Sequence, residues 1–284
     1  MIISHIFGGL GNQLFQYATG RAIAEKYNVP LKLDQSAFSE YKLRNFDLDK
    51  FNLPVEIASE TELAQLKPHG LVSRALQRLK PVSMRTYFRE RVVHYNKSIE
   101  KAGPNLYLKG YFQSEKYFNS IAGRLKTELV IKPEYLAKVT ALANGLKNEN
   151  SVSIHIRRGD YTSAAAASIH PLLTQTYYLK AIELITRKIP SPVFYFFSDD
   201  QEWTRQNLPV DNAVYVSGTL SKTHLEDFHL MSHCRHNIIA NSSFSWWCAW
   251  LNDNPSKTVI APNEWFTKGY QKVDDRIPGS WLKL

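Results

Sequence analysis

The opening of the chain restricts its fold more than any other feature. A β-rich run at residues 2–7 meets Gly8-Gly9-Leu10-Gly11-Asn12-Gln13. A stretch with helical apolar spacing at 14–26 follows, and then a second β-rich run at 30–34. A strand, a glycine-rich turn, a helix and another strand form a βαβ unit. Such a unit requires a parallel sheet with crossover helices, hence an α/β protein. The alternation returns later. Strands are expected at 151–157, 192–198, 213–217, 237–240 and 258–261, and helices at 174–188, 224–234 and 243–251, with Thr174 as an N-cap. Residues 106–112 read as a further strand, with helical residues following to 127, and 36–98 read as irregular and basic. Asn-Gly and Asn-Glu-Asn punctuate the polar stretch 143–150, so two domains are expected, 1–148 and 149–284. Two α/β domains facing each other place a ligand cleft at the carboxyl ends of their strands.

Composition narrows the classes. At 44% hydrophobic and 21% charged over 284 residues, the chain is globular rather than disordered. Mean hydropathy is −0.33, and no apolar run approaches the ~20 residues of a spanning helix. Residues 1–7 lack a basic n-region, so they read as a strand rather than a signal peptide. The two cysteines, Cys234 and Cys248, exclude a disulfide framework, and a reducing, cytoplasmic setting is the expectation. The net charge of +9 favours anionic partners. A basic stretch of Arg74, Arg78, Lys80, Arg85, Arg89, Arg91 and Lys97 is either a solvated face or a surface that touches a membrane or an acidic acceptor.

Four constellations could carry chemistry. The glycine-rich turn is either a plain tight turn or a place where backbone and helix N-terminus approach a ligand; it matches neither a P-loop nor the G-x-G-x-x-G fingerprint. His155-Ile156-Arg157-Arg158-Gly159-Asp160-Tyr161 puts two guanidiniums at a strand end. They suit a pyrophosphate, or they close a turn through Arg–Asp pairs. Ser198-Asp199-Asp200 follows a buried strand, where a carboxylate reads a nucleoside or caps the next helix. Asn241-Ser242-Ser243-Phe244-Ser245-Trp246-Trp247 is either a phosphate cradle or a serine cap on a core helix. Trp247, Trp250 and Leu251 fall at core spacing. His224, His229, His233 and His236 do not line up as a metal site and read as structural.

These elements, with Leu14-Phe15-Gln16-Tyr17-Ala18 after the turn and Gly110-Tyr111-Phe112-Gln113, resemble the bacterial alpha-1,2-fucosyltransferases of glycosyltransferase family 11 in content and order. The His-x-Arg and Ser-Ser-Phe-Ser elements are also similar to those of protein O-fucosyltransferases and alpha-1,6-fucosyltransferases. The resemblance implies a GT-B-like fold of two Rossmann-like domains facing across a cleft, the first on the acceptor side and the second binding GDP-fucose. It implies inverting transfer of L-fucose from GDP-β-L-fucose to the 2-hydroxyl of a terminal β-galactose, with no metal or other cofactor. Beside it, cysteine usage and the basic stretch set the expected location as cytoplasmic, at the inner face of the membrane. Carried over, Arg157 and Arg158 hold the diphosphate, with Arg157 stabilising the leaving group. His155 approaches guanine or ribose, Asp199 reads the nucleoside, and Ser242, Ser243 and Phe244 contact phosphate and base. Gly9 and Gly11 bring backbone to the donor, and Asn12 lies near the transferring carbon. Gln113 and Tyr161 are placed on the acceptor. Asp160 is the first choice for the base, with orientation of Arg158 as its rival role. The run Ala164-Ala165-Ala166-Ala167 departs from the polar loop expected after the arginines. Two other classes compete: a non-catalytic nucleotide or nucleic-acid binding module, and a transferase using another nucleotide sugar. The chain lacks an RNA motif or a recognition helix, so no nucleic acid partner is expected.

Overall fold

The computed structural model describes residues 1–39, 44–54, 56–68, 70–92, 94–162, 168–267 and 275–284, without the Asp160 side chain. The chain divides into two compact units. The first runs from Met1 to Val130 and also takes Asp275 and Arg276. The second begins at Ile131 and includes the C-terminal segment from Ile277 to Leu284.

Unit 1 contains β1 (Ile2–His5), α1 (Leu10–Tyr27), β2 (Leu31–Asp34), β3 (Glu56–Ile57), α2 (Glu60–Leu66), α3 (Gly70–Leu79), β4 (Tyr87–Arg89), β5 (Leu106–Lys109) and α4 (Ala122–Glu128). Its five strands are parallel in the order β3-β2-β1-β5-β4. Helix α1 begins earlier than its apolar spacing predicts, so Gly11, Asn12 and Gln13 form its first turn rather than a loop. The buried Gln13 explains this. Its amide donates to the carbonyls of Gly8 (2.9 Å) and Asn45 (2.8 Å) and accepts from Asp47 N (2.9 Å). Those bonds lock the first turn and outweigh the poor helix propensity of glycine. Asn28, at φ 50°, ends the helix in the left-handed region. The stretch 36–98 is also more ordered than its sequence predicts. Ser59 and Glu62 form a capping box on α2, and two- and three-residue strands are too short to show alternation.

Unit 2 contains α5 (Thr140–Leu146), β6 (Ser151–Ile156), α6 (Gln175–Lys188), β7 (Val193–Ser198), α7 (Gln201–Asn207), β8 (Ala213–Tyr215), α8 (His224–His233), β9 (His236–Ile238), α9 (Ser243–Leu251), β10 (Val259–Ala261) and β11 (Leu282–Lys283). Six strands lie in the order β11-β10-β9-β6-β7-β8, and the strand pairs are parallel. One face of β6, Val152, Ile154 and Ile156, packs with Tyr178, Ala181 and Ile185 of α6. Its other face carries Ser153, which accepts from the buried Asn237 (2.8 Å). Trp247 and Trp250 of α9 are buried as core, as their spacing predicts; Trp246, which the spacing did not single out, is buried with them, and Leu251 is half-buried. Both cysteines are buried and free.

Candidate functional site

In unit 2 the strand order reverses direction between β6 and β9. An open parallel sheet binds ligands outside the carboxyl ends of the strands at such a switch point. The segment after β6 carries Arg157 and Arg158, and the segment after β9 carries Asn241, Ser242 and Ser243. The neighbouring β7 ends at Ser198, and Asp199 and Asp200 follow it directly. Topology alone thus gathers three of the four constellations at one sheet edge.

The arginines are held, not loose. Asp199 Oδ2 lies 2.7 Å from Arg157 Nη1, while its Oδ1 accepts from the backbone N–H groups of Arg158 (2.8 Å) and Gly159 (3.1 Å). Gly159 is required for that approach, because a Cβ there would come within 2.9 Å of Asp199 Oδ2. Asp200 caps α7 through Trp203 N (3.0 Å) and takes Arg158 Nε on its other oxygen (3.1 Å). The Arg158 guanidinium lies over the Trp203 ring at 4.1 Å. Each arginine therefore has its own carboxylate, and among the described side chains Asp200 is the partner of Arg158. The Asp160 side chain and the Ala164–Ala167 run lie outside the described residues. The side chain of Asp199 turns back onto the arginine loop, where it holds the Arg157 guanidinium and the 158–159 backbone.

These pairs are half-exposed, whereas His155 beside them is buried. The His155 ring packs 5.7 Å from that of Phe244. Burial, with the Arg157 charge beside it, pushes His155 down to about 3, so the ring is neutral at neutral pH. Its Nδ1 is buried without a hydrogen-bond partner, as is Asn241 Oδ1. Buried polar atoms are paired in most native structures, so such orphans at a strand end are places for a ligand's polar groups. Ser242 caps α9 by accepting from Phe244 N (3.3 Å). Tyr161 donates to the Asn241 carbonyl (3.2 Å) and stacks on His170 at 4.8 Å. Tyr161 thereby joins the segment that carries Ser242 and Ser243.

Unit 1 has its own switch point, between β1 and β5. Gly8, at φ 80°, admits no side chain, since a Cβ there would meet Asn12 Nδ2 at 2.9 Å. Gly9 precedes α1 and accepts from Asn12 N (2.9 Å) and Gln13 N (3.1 Å). Gly11 is buried in the first turn. Gln113 Nε2 donates to Asn12 Oδ1 (2.6 Å), so two residues expected in different roles form one pair. Beneath them, the Tyr107 hydroxyl donates to Asp34 (2.5 Å). Burial opposes ionisation of Asp34, but hydrogen bonds from Ser36 and Tyr107 outweigh it and hold the carboxyl at about 2. Burial also pushes His5 down to about 4, against the attraction of Asp34.

The sequence reading missed Glu90. Half-buried in the basic stretch, its carboxylate accepts from Tyr111 N (2.7 Å) and Phe112 N (2.9 Å), and desolvation raises its pKa. These bonds end β5 short of residue 112 and fix the turn that presents Gln113. The available signal was its isolation, as the one acidic residue between Gly70 and Lys97. The His229 and His233 rings meet at 3.9 Å, tilted by 42°, and His236 accepts from Thr258 N (3.0 Å). Among the described residues no three His, Cys, Asp or Glu side chains gather as a metal cluster. A cavity of about 520 Å³ also lies in unit 1, lined by Tyr27, Tyr95 and Tyr117. None of the strand-end residues lines it.

Residues 74–283 match Glycosyl transferase family 11. An alpha-1,2-colitosyltransferase of Escherichia coli is 32% identical over 100% of this chain and 99% of its own length. Galactoside alpha-(1,2)-fucosyltransferase 2 of Oryctolagus cuniculus is 23% identical over 86% of this chain and 65% of its own length. Among solved structures, the alpha-1,6-fucosyltransferase NodZ from Bradyrhizobium, soaked with GDP-fucose, superposes with a TM-score of 0.53. It is 16% identical, covering 88% of this chain and 91% of that one. That likeness shows the fold, which is GT-B-like and built on two parallel α/β sheets.

Proposed function

Since the chain belongs to glycosyl transferase family 11, we propose that this glycosyltransferase moves L-fucose from GDP-β-L-fucose to the 2-hydroxyl of a terminal β-galactose. The observation that carries the reading is the pair of carboxylate-held arginines at the unit 2 switch point. Planar guanidinium forks fixed in direction match diphosphate oxygens, and they stabilise the negative charge that builds on departing GDP. His155 Nδ1 and Asn241 Oδ1 offer unpaired polar atoms to the nucleoside, with the Phe244 ring beside them. In unit 1, the Asn12–Gln113 pair is neutral and suits sugar hydroxyls. Two fixed arginines supply the charge compensation that a divalent cation would otherwise give, so activity is expected to survive excess EDTA. Loss restored by magnesium or manganese would contradict that part. Asp160 is assigned the base. Asp160→Asn should lower kcat by about 10²-fold or more while leaving GDP affinity unchanged.

The name of the E. coli relative favours a second reading, in which colitose replaces fucose on the donor. A donor screen with a β-galactoside acceptor separates the two, with product linkage read by NMR. Fucose attached at the galactose 2-hydroxyl supports the first reading. Colitose transfer without fucose transfer supports the second, and transfer from neither donor contradicts both.

A further inference from the structure

Helix α3 faces the wrong way for a helix in water. Its ten residues include none that is buried. Leu71, Val72, Ala75, Leu76 and Leu79 fall on one side of the helix, as 3.6 residues per turn requires. That side is open: Leu71 is 82% exposed, Val72 75%, Leu76 55% and Leu79 82%. The side turned to the rest of unit 1 is polar. There Gln77 donates to Thr86 Oγ1 and accepts from Thr86 N, both at 3.0 Å. Arg85 ties down the C-terminal end by donating to the carbonyls of Lys80 and Arg78, both at 2.9 Å. Among the described residues, five of the twelve exposed large apolar side chains lie between Leu71 and Met84. The apolar exposure is therefore a local patch rather than ordinary scatter.

Charge says what covers it. Between Gly70 and Lys97 the chain has seven basic residues and one acidic one, Glu90. Glu90 is half-buried and its carboxylate is engaged with backbone, so it does little to offset the exposed cations. Arg74 and Arg78 border the apolar side of α3. Arg74, Arg89 and Lys67 also lie close enough to Lys109 for their charges to lower its pKa, after burial. The positive field thus continues from the helix to the carboxyl end of β5. A protein partner would need an apolar groove ringed by acids; a bilayer with anionic headgroups provides both properties at once. No helix among the described residues is long and apolar enough to cross a membrane.

We propose that α3 is an interfacial helix that lies in the surface of an anionic lipid bilayer. Leu71, Val72, Leu76 and Leu79 enter the acyl boundary, while Arg74 and Arg78 reach the phosphate headgroups. Because it rests on unit 1 alone, the proposal stands apart from the donor assignment. The test is co-sedimentation of the full chain with vesicles of phosphatidylcholine, with or without phosphatidylglycerol. Partitioning should be about tenfold or more stronger with phosphatidylglycerol and should fall with salt. Arg74→Gln with Arg78→Gln should weaken it about 30-fold, and Leu76→Ser with Leu79→Ser about 100-fold or more. Both double variants change exposed side chains, so their melting temperature and GDP affinity should match wild type. Equal binding to both vesicle types, no binding, or unchanged binding by the leucine variant would overturn the proposal. So would a wild-type dimer that the leucine variant converts to monomer while its vesicle binding persists.

Discussion

The two units repeat one topological solution with different side chains. In each, an open parallel sheet reverses direction beside its first strand, β1 or β6. Each first strand carries a buried neutral histidine near its carboxyl end, His5 or His155. Beyond that the two switch points diverge. Unit 2 presents Arg157 and Arg158, each held by its own aspartate. Unit 1 presents an amide pair, Asn12 and Gln113, on a turn braced by Gln13 and Glu90. A shared backbone frame thus leaves the ligand's charge to be chosen by the residues just past the strands. Carboxylate-fixed guanidiniums meet an anion at little ordering cost, whereas amides meet hydroxyls.

Substitutions can break this contrast. The largest effect is expected at Arg157. Arg157→Lys keeps the charge but loses the fork, and kcat should fall on the order of 10²-fold or more; near-normal turnover would remove the bidentate role. A smaller fall, roughly 30-fold in both kcat and GDP affinity, is expected for Asp199→Asn, since it frees Arg157 and weakens the hold on the 158–159 backbone. A change in kcat with unaltered GDP affinity would contradict a positioning role. Gln113→Ala should cost about tenfold in kcat/KM for the acceptor and leave GDP binding alone. A GDP affinity that drops with it would erase the distinction between the units.

The histidines give the smallest effect, on stability. The folded pKa of His155, about 3, lies below its ordinary value of 6.5. Between those values the unfolded chain binds a proton that the folded chain does not. Stability should therefore rise with pH through that window and level off above it. His155→Gln should flatten the slope by up to about 1.4 kcal/mol per pH unit, read from urea midpoints. An unchanged slope would mean that His155 is solvated.

How much of this was legible depended on length and on burial. The strands β6 and β7, six residues each and buried, appear plainly in the sequence, as do the arginines after one and the aspartates after the other. The pairing of those groups was not legible. Arg–Asp closure of the turn and diphosphate binding stood as rivals, and the geometry joins Asp199 to Arg157 without deciding against a ligand. The alternative of a capping aspartate also held, for Asp200. In unit 1, glycine propensity misplaced the start of α1, because the bonds that fix Gln13 come from residues more than thirty positions away. Helix α3 itself was missed within the stretch read as irregular and basic, and even its apolar periodicity would have given a face but not the direction of that face.

The contrast between the units is tested most directly by calorimetric titration of GDP into wild type, Arg157→Ala and Gln113→Ala. The account predicts that Arg157→Ala loses about 10- to 100-fold in affinity, the worth of a charge-assisted contact, while Gln113→Ala stays within about twofold of wild type. Wild-type affinity in Arg157→Ala, or a larger loss in Gln113→Ala, would contradict the assignment of the nucleotide to unit 2.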